Sequence, residues 1–134
     1  MQTNGDNMAK KNVLIVGLDP RLVDFSSPEF AAFNLDAAKV LAAVKADREH
    51  LSSLGYDVDV CLTDFGETAE AVVLQHLRRA PFDCVMIGAG VRVIPKHFLL
   101  FEKLINVVHA NAPQAKLCFN TKPSDTAEAV QRWL

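Results

Sequence analysis

One short stretch of the sequence limits the fold more than any other. It is an unbroken apolar run, Cys84–Ile87, which follows Asp83 and is broken at once by Gly88 and Gly90. An apolar run of this length between turn residues is typical of a β-strand that is buried on both faces. Strands of that kind occur in parallel sheets that carry helices on each side. The run therefore predicts the central strand of an α/β sheet.

The other strands follow from the same kind of pattern. Residues 11–17 form a strand that is apolar on both faces from Val13 to Val16, whereas residues 56–63 alternate, and residues 115–120 partly alternate, between apolar and polar side chains, as edge strands do. Helical segments separate the strands, so the chain reads as four βα units. The predicted fold class is α/β: a single doubly wound three-layer sandwich with a four-stranded parallel sheet of order 2-1-3-4, which is a flavodoxin-like or Rossmann-like winding.

The spacing of apolar residues predicts the long helices and the faces that they bury. A helix over residues 35–54 is predicted to end at Gly55, because helices often end at a residue with a left-handed backbone conformation, which glycine adopts readily. Another helix runs from about 95 to 111 and is predicted to bury Phe98, and Trp133 is predicted to face inward from the last helix.

Length and composition indicate one ordinary globular domain. The chain has 134 residues, of which 50% are apolar and 22% charged, and we predict a disordered tail at 1–11 followed by a single domain at 12–134. A net charge of −2 does not indicate the basic surface that nucleic-acid-binding proteins carry. No apolar run is long enough to predict a membrane span, and the polar first dozen residues do not predict a signal peptide.

The cysteines favour a reducing compartment. Cys61, Cys84 and Cys118 each fall within a predicted strand, and their spacing is not that of metal ligands. They are predicted to be reduced residues of the core, which fits a cytoplasmic protein.

Candidate site residues gather where the strands end. Ligands of open doubly wound sheets bind beyond the carboxyl ends of the strands. The residues that the sequence delivers to this edge are Asp19 and Arg21 after the first strand, Gly88, Gly90 and Arg92 after the third, Asn120 and Lys122 after the fourth, and His97 at the start of the following helix.

Two interpretations of these residues stay open. Arg92 and the bare backbone of Gly88 and Gly90 could hold a carboxylate or phosphate, while Asp19 or His97 handles a proton. Alternatively the glycines only turn the chain, Asp19 begins an ordinary turn, and Arg92 and His97 are solvated. The sequence predicts no metal and no cofactor, because the glycines do not match a dinucleotide fingerprint and one carboxylate is a poor cation site.

A family resemblance adds a second hypothesis. Residues 13–20 (Val-Leu-Ile-Val-Gly-Leu-Asp-Pro), 54–60, 82–87 and the Thr-Lys-Pro at 121–123 together resemble the receiver domain of bacterial response regulators. The phosphate-accepting aspartate of that family falls on Gly88, only Asp19 remains of its acidic pair, and one βα unit is missing. The resemblance therefore implies a module that works without aspartyl phosphorylation.

We thus carry two functional hypotheses. The first is a small cytoplasmic α/β protein that binds a small anionic metabolite at the carboxyl edge and, if it is an enzyme, also transforms it there. The alternative is a phosphorylation-independent pseudo-receiver interaction module, which predicts an exposed apolar patch on a helix. A homodimer is compatible with both, and neither involves nucleic acid or a membrane.

Overall fold

The fold is known from a computed structural model that describes residues 10–134. The tail predicted at 1–11 lies, up to residue 9, outside the described residues. The strands are β1 (Asn12–Leu18), β2 (Asp57–Thr63), β3 (Cys84–Ile87) and β4 (Lys116–Phe119). The α-helices are α1 (Pro28–Ala31), α2 (Ala37–Ser53), α3 (Ala69–Leu77), α4 (Ala89–Arg92), α5 (Phe98–Asn111) and α6 (Thr126–Gln131). Short 3₁₀ turns occupy Pro20–Leu22, Pro95–His97 and Pro123–Asp125.

The strands form one parallel sheet in the order β2-β1-β3-β4, which confirms the predicted fold class and strand order. In the register of the sheet, Val16 lies beside Ile87, and Ile87 lies beside Phe119. The carboxyl ends of these strands therefore meet at one edge, where the candidate residues were expected.

Two separate cores cover the two faces of the sheet. Leu14 and Val16 pack with residues of α3 and α5, whereas Val13 and Ile15 pack with Leu51 of α2 and with α6. This division follows from the alternation of side chains along a strand, which sends odd and even positions of β1 to opposite faces. Burial on both faces explains why β1 and β3 read as continuous apolar runs.

The bounds of the longest helix follow from its end groups. The Asp36 carboxylate accepts a hydrogen bond from the Lys39 backbone N–H at 2.8 Å and caps the start of α2. Gly55, just past the other end, has a φ of 99°, which confirms the predicted left-handed stop.

Two inward-facing predictions are wrong. Phe98 is 60% exposed, because α5 turns Leu100, Leu104 and Val108 toward the sheet. The helix is apolar over more than one stripe, so spacing alone could not select the buried face. Trp133 is 55% exposed, because α6 ends at Gln131 and the chain beyond it no longer follows the helical pattern.

None of the helices in the described part of the chain has the length and apolar character that a membrane span requires.

Candidate functional site

A pocket of about 290 Å³ opens at the carboxyl edge of the sheet. Its floor is formed by the ends of β1 and β3, one wall by α2, and its cover by the chain between β1 and α2. The residues after β4 close the remaining side. The pocket therefore lies where ligands of doubly wound sheets bind, beyond the carboxyl ends of the strands.

Gly17 explains why there is space on this face of the sheet. Its neighbour two positions back, Ile15, packs on the α2 side, so a side chain at 17 would also point there. A Cβ placed on Gly17 would meet only Leu62, at 4.0 Å. The backbone of Gly17 does not have the positive φ that would require glycine. The missing side chain thus leaves volume that the pocket occupies.

The cover and the α2 wall make the pocket apolar. The cover contributes Phe25, Phe30 and Phe33, and the rings of Phe25 and Phe30 meet edge to face with centroids 5.3 Å apart. On α2, Val40 and Val44 lie one turn apart and face the same space. A surface of this kind favours the apolar body of an organic molecule over a free inorganic ion.

A chain of hydrogen bonds runs beside the pocket and ends on Asp47 of α2. The Ala89 backbone N–H donates to Asn120 Oδ1 at 2.9 Å, and Asn120 Nδ2 donates to Thr126 Oγ1 at 3.0 Å. The Thr126 hydroxyl then donates to Asp47 Oδ2 at 2.8 Å. The direction is fixed, because a backbone N–H can only donate and therefore faces the amide oxygen of Asn120.

Asp47 is the charged end of this chain and lines the pocket. Burial raises the pKa of Asp47, and the hydrogen bond from Thr126 and the nearby His50 oppose part of that rise. The carboxylates of Asp125 and Glu128 raise the pKa of Asp47 further. A carboxyl group with a raised pKa in an apolar pocket is a candidate for recognition or proton transfer. Sequence reasoning missed it, because a lone Asp in mid-helix carries no signal of its tertiary surroundings.

Four of the eight candidate site residues line this pocket. Gly88, Gly90 and Asn120 form part of its wall, and Lys122 lies at its solvent-exposed rim. Asn120 is buried, with its amide committed to Ala89 and Thr126. Lys122 is thus the cation of the predicted set that the fold brings to the pocket.

Asp19 and Arg21 are paired with each other beside the pocket. Arg21 Nε and Nη2 donate to the two Asp19 oxygens at 2.9 and 2.8 Å. The hydrogen bond from Arg21 holds the pKa of Asp19 below its usual range. A bidentate pair of this kind occupies both groups, so neither is poised for a ligand or a proton.

Arg92 ties two strand ends together. Its Nε donates to the Ile87 carbonyl oxygen at 3.2 Å, and its Nη2 donates to the Asn120 carbonyl oxygen. The guanidinium also lies 5.3 Å from the centre of the Phe119 ring. The half-buried side chain is therefore neither free to clamp an anion nor solvated, the two interpretations that the sequence left open.

His97 is buried, with 4% of its surface exposed, so the solvated interpretation is wrong for this residue. Its Nδ1 lies 3.1 Å from the Gly90 carbonyl oxygen, which can only accept, so Nδ1 carries a proton. Its Nε2 is buried and meets no hydrogen-bond partner among the described residues. The Phe65 ring packs against the imidazole with centroids 5.5 Å apart. His97 therefore packs behind α4 and does not line the pocket.

Asp24 and Asp64 at this edge are each bonded to residues of their own loop. Asp24 accepts hydrogen bonds from Ser26, and Asp64 accepts hydrogen bonds from Thr68. These bonds lower the pKa of both carboxyl groups. Within residues 10–134 there is no cluster of three or more His, Cys, Asp or Glu side chains that could hold a metal ion.

Comparison with protein-family models, with curated proteins and with solved structures finds no match to this chain.

Proposed function

We propose that this protein binds a small organic molecule in the apolar pocket at the carboxyl edge of its sheet. The observation that carries the proposal is the pocket itself, which lies above Gly17 and between β1 and α2. Protein interiors are usually packed to a density that leaves few voids. A volume of about 290 Å³ next to a glycine that the backbone does not require is therefore best explained by a ligand.

The apolar surface supplies the affinity in this proposal. Removing apolar area from water contributes roughly 25 cal/mol per Å². Phe25, Phe30 and Phe33 cover the pocket from one side. They lie in the segment between β1 and α2, and a ligand enters when this cover moves.

The anionic character that the sequence led us to expect remains part of the proposal, with Lys122 as its support. Lys122 lies at the solvent-exposed rim, where an acidic group could stay partly hydrated. Arg21 and Arg92 contribute less to such a site, because each is engaged by other groups of the protein.

The test is a ligand screen that compares the wild type with Gly17→Val. The panel contains aromatic and aliphatic carboxylates, alcohols and amines, together with phosphates, nucleotides and FMN. A ligand raises the melting temperature of the native protein by mass action. We expect hits in the wild type that Gly17→Val weakens or removes, because the valine side chain takes up space at the pocket floor while suiting a strand. Hits that persist unchanged in Gly17→Val contradict the proposed pocket.

A turnover assay on each hit addresses the proposed chemistry. Asp47 lines the pocket, whereas Asp19 and His97 have other partners nearby, so Asp47 is the group best placed to exchange a proton with a ligand. Product formation that Asp47→Asn abolishes even at saturating ligand supports an enzyme; intact turnover in that variant assigns the chemistry to other residues.

One observation favours the alternative, an interaction module. Phe98 and Leu99 are 60% and 72% exposed at the start of α5, directly after His97, and the exposed Phe65 packs on the His97 ring. We call Phe65, Phe98 and Leu99 the apolar patch. An exposed apolar patch of this kind is a mark of protein-protein contact.

The patch is tested with Leu99→Ser and with Leu54→Ser, an exposed leucine at the end of α2, as the matched control. Light scattering after size exclusion and a pull-down measure self-association and partner binding. Loss of a complex in Leu99→Ser alone supports the module. A monomer that captures nothing, with wild type and both variants alike, counts against it.

A further inference from the structure

Asp47 interrupts the apolar face that α2 turns to the pocket. Val40, Ala43, Val44 and Asp47 follow each other at the spacing of one helical face, and all of them line the pocket. The side chains of Val40, Ala43 and Val44 present no polar atom to a ligand. Asp47 is therefore the place on this wall where a ligand meets a polar group.

The hydrogen-bond chain makes this point an acceptor. Thr126 is fully buried, and the proton of its hydroxyl points to Asp47 because its oxygen already accepts from Asn120. No other donor of residues 10–134 is bonded to the Asp47 carboxylate, and a carboxylate can accept up to about four hydrogen bonds. The acceptor capacity that remains has to be satisfied by water or by a ligand.

The charges around Asp47 also favour a ligand that donates a hydrogen bond. Asp125 in the turn after β4 and Glu128 on α6 add negative charge, and His50 on α2 is the basic group nearby. Arg21, in the turn that packs against α2, is neutralised by Asp19. Lys122 is exposed at the rim. Beside Asp47 a positive or neutral donor is thus better accommodated than an acidic group, and an acidic group of the ligand would lie at the Lys122 rim instead.

From this geometry we propose that the pocket takes a ligand with an apolar body that ends in a hydrogen-bond donor, a hydroxyl or a primary ammonium, received by Asp47. The inference rests on the proposed function, since it names the chemistry of the molecule that fills that pocket. The apolar body lies against Val40, Val44 and the phenylalanines of the cover, and the donor replaces water at the carboxylate.

Three probes of the same shape separate the contributions of body and donor: phenethylamine, phenethyl alcohol and propylbenzene. Each is titrated into the wild-type protein while the amide resonances of Gly17 and the α2 residues are followed by NMR. A hydrogen bond to a charged partner predicts that the amine or the alcohol binds about 10- to 100-fold more tightly than propylbenzene. The relative affinity of amine and alcohol tells an ammonium ligand from a hydroxyl ligand.

Asp47→Asn is the matched variant. Its amide oxygen can still accept from Thr126, which turns the NH₂ group, a donor, toward the pocket. We expect the preference for the amine or alcohol to disappear while propylbenzene binds as before. An unchanged preference in Asp47→Asn, or a wild type that binds propylbenzene as tightly as the other probes, overturns the inference and leaves the proposed function standing. Probes that shift no pocket resonance, or that bind Gly17→Val equally well, overturn both.

Discussion

Thr126→Val tests whether the hydrogen-bond chain exists as described. Valine has nearly the shape of threonine, so the change removes the hydroxyl and leaves the packing of this fully buried side chain in place. Asn120 Nδ2 loses its acceptor, and Asp47 loses its donor. Leaving a buried donor unpaired costs roughly 1–3 kcal/mol, and a hydrogen bond to a charged group contributes roughly 1.5–3 kcal/mol. We therefore expect a loss of about 3 kcal/mol in the free energy of unfolding.

Thr126→Ser is the control for this loss. Serine keeps the hydroxyl and removes one methyl group, for which roughly 1 kcal/mol is expected. Urea denaturation followed by circular dichroism gives the free energy of unfolding of each variant. A Thr126→Val variant that is as stable as Thr126→Ser, or more stable, refutes the assigned hydrogen bonds.

A double-mutant cycle locates the effect. Asp47→Ala and Thr126→Val are made singly and together, and the coupling between the two positions is taken from the free energies of unfolding of the wild type and the three variants. Direct bonding predicts a coupling of roughly 1 kcal/mol or more. A coupling near zero means that Thr126 and Asp47 do not share the hydrogen bond.

Three further predictions concern Arg92, Gly55 and the titration of Asp47. Arg92→Met keeps the stem but removes the bonds to two carbonyl oxygens, so it should lower the free energy of unfolding by roughly 2 kcal/mol in urea denaturation; an unchanged stability contradicts this structural role. Gly55→Ala should cost roughly 1 kcal/mol by the same assay, because φ is 99° there, and a neutral result contradicts the helix stop. Because the pKa of Asp47 is raised, the folded protein holds that proton more tightly than the unfolded chain, and stability falls as pH rises from the ordinary value of 3.8 through the raised one. The free energy of unfolding of Asp47→Asn, relative to that of the wild type, should therefore be higher at neutral pH than below pH 3.8. A difference between the two proteins that does not change with pH contradicts the raised pKa.

The fold could be predicted because its signals are local. The apolar run Cys84–Ile87 predicts a strand that is buried on both faces, and the alternation in residues 57–63 predicts an edge strand. With the apolar run of β1 and the partial alternation of β4, they predict the strand order 2-1-3-4, which the sheet confirms. Gly55 marked a helix end for an equally local reason, since few other residues tolerate its φ.

The faces of helices were less predictable where apolar residues surround the axis. In α5, the apolar spacing allows either Phe98 or Leu100 to be buried. Packing against α3 and the sheet buries Leu100 and leaves Phe98 exposed. Patterns report which side of a helix can be buried, not which of two apolar stripes meets a neighbour.

By itself, the sequence determined the parallel sheet and the edge at which polar residues collect, because periodicity and turn residues act over a few positions. Only the tertiary structure decided what those residues do. It tied Arg92 to the Asn120 carbonyl oxygen, 28 positions away, and joined Asp47 to Thr126, which is 79 positions away. It also opened a pocket above Gly17, whose lack of a side chain matters only because α2 and its preceding loop pass over it. Such contacts depend on the distance between atoms in space, and no spacing along the chain encodes that distance.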